Sequence, residues 1–310
     1  MAKIQARNVD DALFALIEQT AMKNERSLEG EIRFALRAYY QSEDAPAASD
    51  RENWQQETGQ RLTFLFDRLM ADNYFREFAG ARPIDTFDLV RLARQLNTSP
   101  GLLMDIMAGR QELTFSLADK IAQNFDASAD WLLGGSGSPF EADRIGADYP
   151  AFFRPDNGKR YVFELHRIDG GRFDGTLFVL RQDLQTQQLR LGVVTEQFNL
   201  SAGMGGTGHA NLKDFLLFLK TDCGDMQLNA FRWQAEAVEY DFWELFGRHH
   251  PRYFQNPAKR SSADWLQRLL QGEDPGGWFK GWSPCLVEIA ATPFGESAAA
   301  NVQEKPHGTV

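Results

Sequence analysis

Residues Lys3–Tyr40 do not fold as a lone unit, and this constrains everything that follows. KIQARN reads as a short strand with Lys3, Gln5 and Arg7 on one face and Ile4 and Ala6 on the other. Asp10 and Asp11 are good helix starters, and Leu13, Leu16, Ile17 and Ala21 then recur at helical spacing. Asn24 to Ser27 interrupts that pattern. Ser27 is placed to cap a second helix, whose stripe is Leu28, Ile32, Ala35, Leu36 and Tyr39. A strand and two striped helices in roughly forty residues bury too little to be stable alone, and the strand has no partner. A second copy solves both problems: the strands pair antiparallel and four helices enclose one core.

The same residues resemble the Arc/MetJ-type ribbon-helix-helix family, especially its FitA-like antitoxin branch. The likeness rests on ARN after the polar-alternating strand, NERS at the turn and EIRFALRAY in the second helix, about an eighth of the chain. It implies a β-ribbon that enters the DNA major groove and presents Lys3, Gln5 and Arg7 to base edges. The chemistry suits them, because Arg and Lys donate to guanine and Gln both donates to and accepts from adenine. Ser27 and the amides behind it would hold a phosphate at the helix N-terminus, with Asn24 and Arg26 in the same turn. The competing reading is an exposed polar strand on a plain dimerisation module.

A chain of 310 residues, 43% hydrophobic and 25% charged, is expected to form two or three soluble domains. Its net charge is -10, and acidic residues outnumber basic ones in every segment. DNA contact must then come from local patches, not from a sequence-independent basic coat. Cys223 and Cys285 are too few for a disulfide scaffold or a cysteine zinc site, which fits a reducing compartment. No apolar run reaches membrane length and no secretory core is visible at the start, so a cytoplasmic protein with no membrane partner is expected.

Residues 43–52, acidic and small, read as a linker between a domain at 1–42 and one at 53–140. In the second domain five short helices follow one another, and LARQLNTSPGLLMDIMAGRQELTFSLADKIAQNFDASADWLL resembles the Xre or lambda-repressor-like helix-turn-helix family. The resemblance places a recognition helix from Ser99 to about Ala108, with Arg110 and Gln111 just beyond it. That helix departs from the family pattern: between Ser99 and Asp105 it offers no Arg, Lys, Asn or Gln, and Asp105 repels phosphate. A degenerate module used for packing or for holding a sensor competes with DNA reading here.

Residues 141–158 read as a second linker. From Tyr161 the period becomes alternating: YVFELHRI, FDGTLFVLR and LRLGVVTEQF are expected to form an antiparallel meander. MQLNAFRWQ and CLVEIAATPF read as further strands, and NLKDFLLFLK, AVEYDFWELFGRHH and SADWLQRLLQ as helices. Residues 159–295 thus make an α+β domain with an antiparallel sheet, and 296–310 a disordered tail. GMGGTGH lacks the ending of a P-loop and reads as a connector. Adjacent His249 and His250 point about 100° apart on a helix and do not share a metal. Cys223 sits beside Asp222 and Asp225, which raise a thiol pKa. His166 reads as a half-buried strand residue. No triad, carboxylate pair or metal spacing stands out, so no enzyme, cofactor or metal is expected. The aromatics from Phe231 to Trp282 are core, with a surplus that suits a ligand pocket or a partner surface.

The expected whole is multidomain: ribbon-helix-helix, all-α five-helix helix-turn-helix, then α+β. It describes a transcriptional regulator, by default a repressor, binding double-stranded DNA as a homodimer or a higher oligomer built from it. A small-molecule effector or partner protein would act at the C-terminal domain. The alternative is an antitoxin that autoregulates its operon and neutralises a toxin through its C-terminal region. Because each symmetric contact is used twice, Arg7→Ala is expected to cost on the order of 2–6 kcal/mol of specific affinity. Binding to scrambled DNA should fall much less, since phosphate contacts carry it. Titration against operator and scrambled duplexes at fixed salt checks this; equal losses would reduce Arg7 to a phosphate contact.

Overall fold

The structure is a computed structural model, and it describes residues 8–40, 49–76, 82–194, 197–234 and 242–295. The chain divides into two compact units, Met1–Asn53 and Trp54–Val310. The expected strand through Lys3, Gln5 and Arg7 lies outside the described residues, as do most of the first linker and the tail after Gly295.

In the first unit α1 (Asp11–Lys23) starts where Asp10 accepts hydrogen bonds from the backbone N–H groups of Ala12 and Leu13, at 3.0 and 3.1 Å. α2 (Leu28–Tyr40) starts at Ser27, whose Oγ accepts from the Gly30 N–H at 3.1 Å. Both starts satisfy amides that a helix leaves without an internal partner.

The second unit opens with the expected five helices. They are α3 (Asp50–Ala71, of which Trp54 onward belongs to this unit), α4 (Thr86–Gln95), α5 (Pro100–Met107), α6 (Phe115–Asn124) and α7 (Ala129–Gly134). Asp85, Ser99, Thr114 and Ser128 cap the last four through their side-chain oxygens. Leu62, Phe66, Leu92, Ile106, Ile121 and Phe125 meet in one apolar core. α3 and α5 approach so closely that a Cβ on Gly59 would stand 2.4 Å from the Ile106 carbonyl oxygen. No other residue type fits there.

The remainder is a six-stranded sheet in the order β1-β4-β3-β2-β5-β6. Its strands are β1 (Ala142–Arg144), β2 (Tyr161–Asp169), β3 (Leu177–Asp183), β4 (Leu189–Val193), β5 (Gln227–Gln234) and β6 (Arg260–Ser262). The expected meander is present as β2-β3-β4, with Leu165 opposite Val179 and Leu180 opposite Leu191. The sheet as a whole is mixed, not antiparallel, because β5 runs parallel to β2 and β1 parallel to β4. Alternate residues face opposite cores. Phe163, Leu165, Leu177 and Val179 join one cluster with α8 (Tyr149–Phe153), α9 (Gly206–Thr221), α11 (Trp265–Leu270) and α12 (Ser283–Ala291). Ile168, Phe178, Leu180 and Trp233 face the other side, under α10 (Phe242–Arg248) and a 3-10 helix (Pro251–Gln255).

Two expectations need correction. Residues 141–158 are not a linker: they carry β1 and α8 and seal one edge of the sheet. CLVEIAATPF is the body of helix α12, not a strand, because Pro284 opens a helical first turn and Ile289 is buried on one face. Its end is closed from across the fold. The buried Lys220 of α9 donates to Leu270 O at 2.9 Å, Ile289 O at 2.7 Å and Ala290 O at 3.4 Å, the last turns of α11 and α12. A cation suits two converging helix C-termini. Lys220→Met should destabilise the chain by about 2–4 kcal/mol, since those carbonyls lose a charged donor. Urea unfolding at neutral pH measures it; an unchanged midpoint would refute the capping role.

Candidate nucleic-acid interface

The turn between α1 and α2 is built around a buried carboxylate. Glu31, 6% exposed, accepts from Asn24 Nδ2 at 3.2 Å and from the Arg26 guanidinium at 3.1 Å. Arg26 also lies over the Phe34 ring, 3.9 Å from its centroid. Three residues expected at the DNA surface are therefore engaged locally: Asn24 and Arg26 hold Glu31, and the Ser27 hydroxyl caps α2. The apolar residues of both helices are conspicuously uncovered. Leu13 is 51% exposed, Leu16 59% and Phe34 52%, and Ala21 is the one buried hydrophobic residue among the described residues of this unit.

In the helix block α5 takes the place of the expected recognition helix. Ser99 Oγ accepts from Leu102 N at 3.3 Å, and Gly109, with φ +67°, turns the chain after α5 against Gln56. Arg110 donates twice to Asp105, at 3.0 and 2.7 Å, so its charge is matched within the module. Gln111 is exposed. Phe87 and Val90 of α4 and Phe115 at the start of α6 are also exposed, a feature that the helical period did not reveal.

The block is fastened to the sheet by a pair of histidines. Asp72, one residue past α3, accepts from His249 Nδ1 at 2.7 Å and from the His250 backbone N–H at 2.7 Å. The buried His250 ring meets Tyr74 and Phe140 edge-on. Its Nδ1 accepts from Arg252 N at 3.0 Å, which leaves the proton on Nε2, 3.4 Å from Asp126. Burial pushes its pKa down, so it stays neutral. Sequence placed His249 and His250 side by side without showing this role, since their partner lies far away in the chain.

His166 is fully buried, stacked between Phe178 and Phe231, and its Nε2 meets Glu164 at 3.2 Å. Burial works against a charged Glu164. Hydrogen bonds from His166 and Arg260 outweigh it, and the carboxyl falls from 4.5 to about 2. Asp183 behaves likewise: burial is overcome by Lys159 and by the amides of Gln185 and Thr186, lowering it from 3.8 to about 2. Burial pushes the Cys223 thiol up to about 12, which leaves no thiolate for chemistry near neutral pH. The glycine-rich GMGGTGH is partly the first turn of α9, and it borders a cleft of about 550 Å³ with Arg144, Gln197 and Asn199. Among the described residues no group of His, Cys, Asp and Glu is placed to hold a metal, and no helix is long and apolar enough to cross a membrane.

Comparison with family models, with curated proteins and with solved structures returns no match. The geometry itself carries a pH consequence. Folded Glu164 has a lower pKa than unfolded Glu164, so its stabilisation is complete above the unfolded value and is lost as pH falls through the folded one. The window runs from roughly pH 5 down to 2, and a drop from 4.5 to about 2 corresponds to about 3 kcal/mol. Glu164→Gln should flatten the acid limb of the stability–pH curve relative to the parent chain. Parallel limbs would mean that Glu164 has an ordinary pKa.

Proposed function

We propose that the chain is a sequence-specific DNA-binding regulator, acting as a homodimer and by default as a repressor. The observation that carries this reading is the uncovered apolar surface of α1 and α2. Leu13 and Leu16 on α1, and Ile32 and Leu36 on α2, lie at helical spacings on a helix pair with almost nothing buried beneath it. A second copy of the same unit is the economical cover, and it would also pair the Lys3–Arg7 strands into a groove-reading ribbon. The start of α2 at Ser27 would suit a phosphate in that arrangement. The five-helix block supports the reading by its succession of capped helices. The Asp105–Arg110 pair makes this block a supporting contact and not the main reader, because a paired Arg gives up much of its attraction for phosphate. Repression asks for no further surface, since occupying a promoter is sufficient.

Full-length protein should sediment as a dimer at micromolar concentration, and duplex fragments retained by it should share a palindromic site. Leu16→Glu combined with Leu36→Glu should give a monomer that retains no specific fragment. A monomeric parent chain, or retained fragments with no common site, would refute the proposal.

A further inference from the structure

One cleft stands apart in its charge. It measures about 680 Å³ and lies between the end of α3 and the sheet, lined by Arg76, Arg252, Lys259 and Arg260 together with Asp72 and Glu164. Both carboxylates are already engaged. Asp72 holds His249 and His250, and Glu164 accepts from His166, from Gln255 at 3.2 Å and from the Arg260 guanidinium. Arg252 has only neutral partners: Gln255 Oε1 at 3.2 Å, Gln187 O at 3.5 Å and the Tyr74 ring, 5.9 Å from its centroid. Its Nε is buried without a hydrogen-bond partner. Arg76, exposed at the cleft mouth, pairs with no carboxylate among the described residues. Lys259 adds an ammonium over the Tyr253 ring.

A half-buried guanidinium with no carboxylate partner and a second one lining the same cleft is costly in a protein of net charge -10 that has carboxylates to spare. Burial, and then the like charge of Arg76, push Arg252 below its ordinary pKa, outweighing the pull of Tyr74 and of the Asp126 and Glu164 carboxylates nearby. A dianion between the two side chains would remove that strain. We propose that this cleft binds a phosphorylated small molecule, with the phosphate held by Arg76 and Arg252. Planar guanidinium forks match phosphate oxygens in pairs. The volume lies within the range of roughly 300–1,000 Å³ usual for small-molecule sites and is far larger than a bare phosphate needs. Gln182, Gln255 and Asn256 offer donors and acceptors for the rest of the ligand.

The two walls belong to α3, the first helix of the five-helix block, and to the sheet. A ligand that touches both favours one arrangement of the pair over others. That regulatory consequence rests on the DNA-binding reading; the binding itself does not.

Calorimetric titration of the full-length chain with inorganic pyrophosphate tests the site, with malonate as a parallel dicarboxylate. Pyrophosphate should bind saturably and more tightly than malonate. Arg252→Gln and Arg76→Gln should each weaken it roughly tenfold or more, as expected for a lost charge-assisted hydrogen bond. Arg172→Gln, on the β2–β3 turn, should leave it unchanged. Absence of saturable binding, or equal affinity in all variants, overturns the proposal. Malonate binding as tightly overturns the phosphate assignment, and displacement of pyrophosphate by short duplex DNA of any sequence makes the cleft a backbone contact instead. Circular dichroism checks the fold, and if Arg252→Gln misfolds, the exposed Arg76→Gln decides alone. Pyrophosphate binding by a chain that retains no DNA would sink the regulator reading and leave the site standing.

Discussion

The second unit depends on one carboxylate. Asp72 ends the α3 side of the helix block and holds His249 and the His250 amide at the far side of the sheet. Because His250 Nδ1 then caps the 3-10 helix through Arg252 N, a single aspartate sets the position of Arg252. Asp126 works in parallel, accepting the Leu189 N–H at 3.0 Å beside the same histidine ring. The buried Asp72 carboxylate, His250 amide and His250 Nδ1 are tolerated because each meets a partner of fixed geometry, and losing one partner leaves another group stranded. Helix block and sheet are therefore coupled by hydrogen bonds whose directions are specified, and not only by apolar contact.

The first unit follows the opposite principle. Among its described residues it has one buried ionic cluster, Glu31 with Asn24 and Arg26, and that cluster fixes the turn, not a core. The angle between α1 and α2 is thereby set before any apolar surface is covered. A pre-set angle lowers the ordering that association must supply, which is how a pair of short helices with little core can form a specific interface. An acidic overall charge of -10 is compatible with the proposed groove contact, which would be local.

Much of the architecture was legible from period alone. Helices α3 to α7 and strands β2 to β4 announce themselves because one face of each is consistently apolar, and Ser99, Thr114 and Ser128 mark helix starts by the chemistry of an oxygen acceptor. CLVEIAATPF misled because a short apolar run satisfies both periods, and Ser283-Pro284 was the stronger signal. β1 escaped because three residues carry no period, and parallel pairing with β4 comes from chain segments far apart. For the same reason the histidine clasp and the Arg76–Arg252 cleft were invisible: residues 72, 76, 164 and 252 converge only in the fold. Asn24 and Arg26 were legible as polar turn residues, but their commitment to Glu31 was not. Among the described residues the aromatic surplus is mostly core, with Trp233, Phe246, Phe254, Trp265, Trp278 and Phe279 all buried.

The short strand β1 also decides where this chain can be cut. It lies along β4, and Ile145 N continues the pairing to Val193 O at 3.1 Å, while Ile145 and Phe152 pack over Gly192. A fragment beginning at residue 159 would keep every long strand yet bare the β4 margin, where Leu189, Leu191 and Val193 alternate with a row of unpaired amides and carbonyls. Such a margin recruits strands from other molecules. The cover is supplied by the segment that leaves the helix block, so the β4 margin stays paired only while the sheet remains joined to the residues before it.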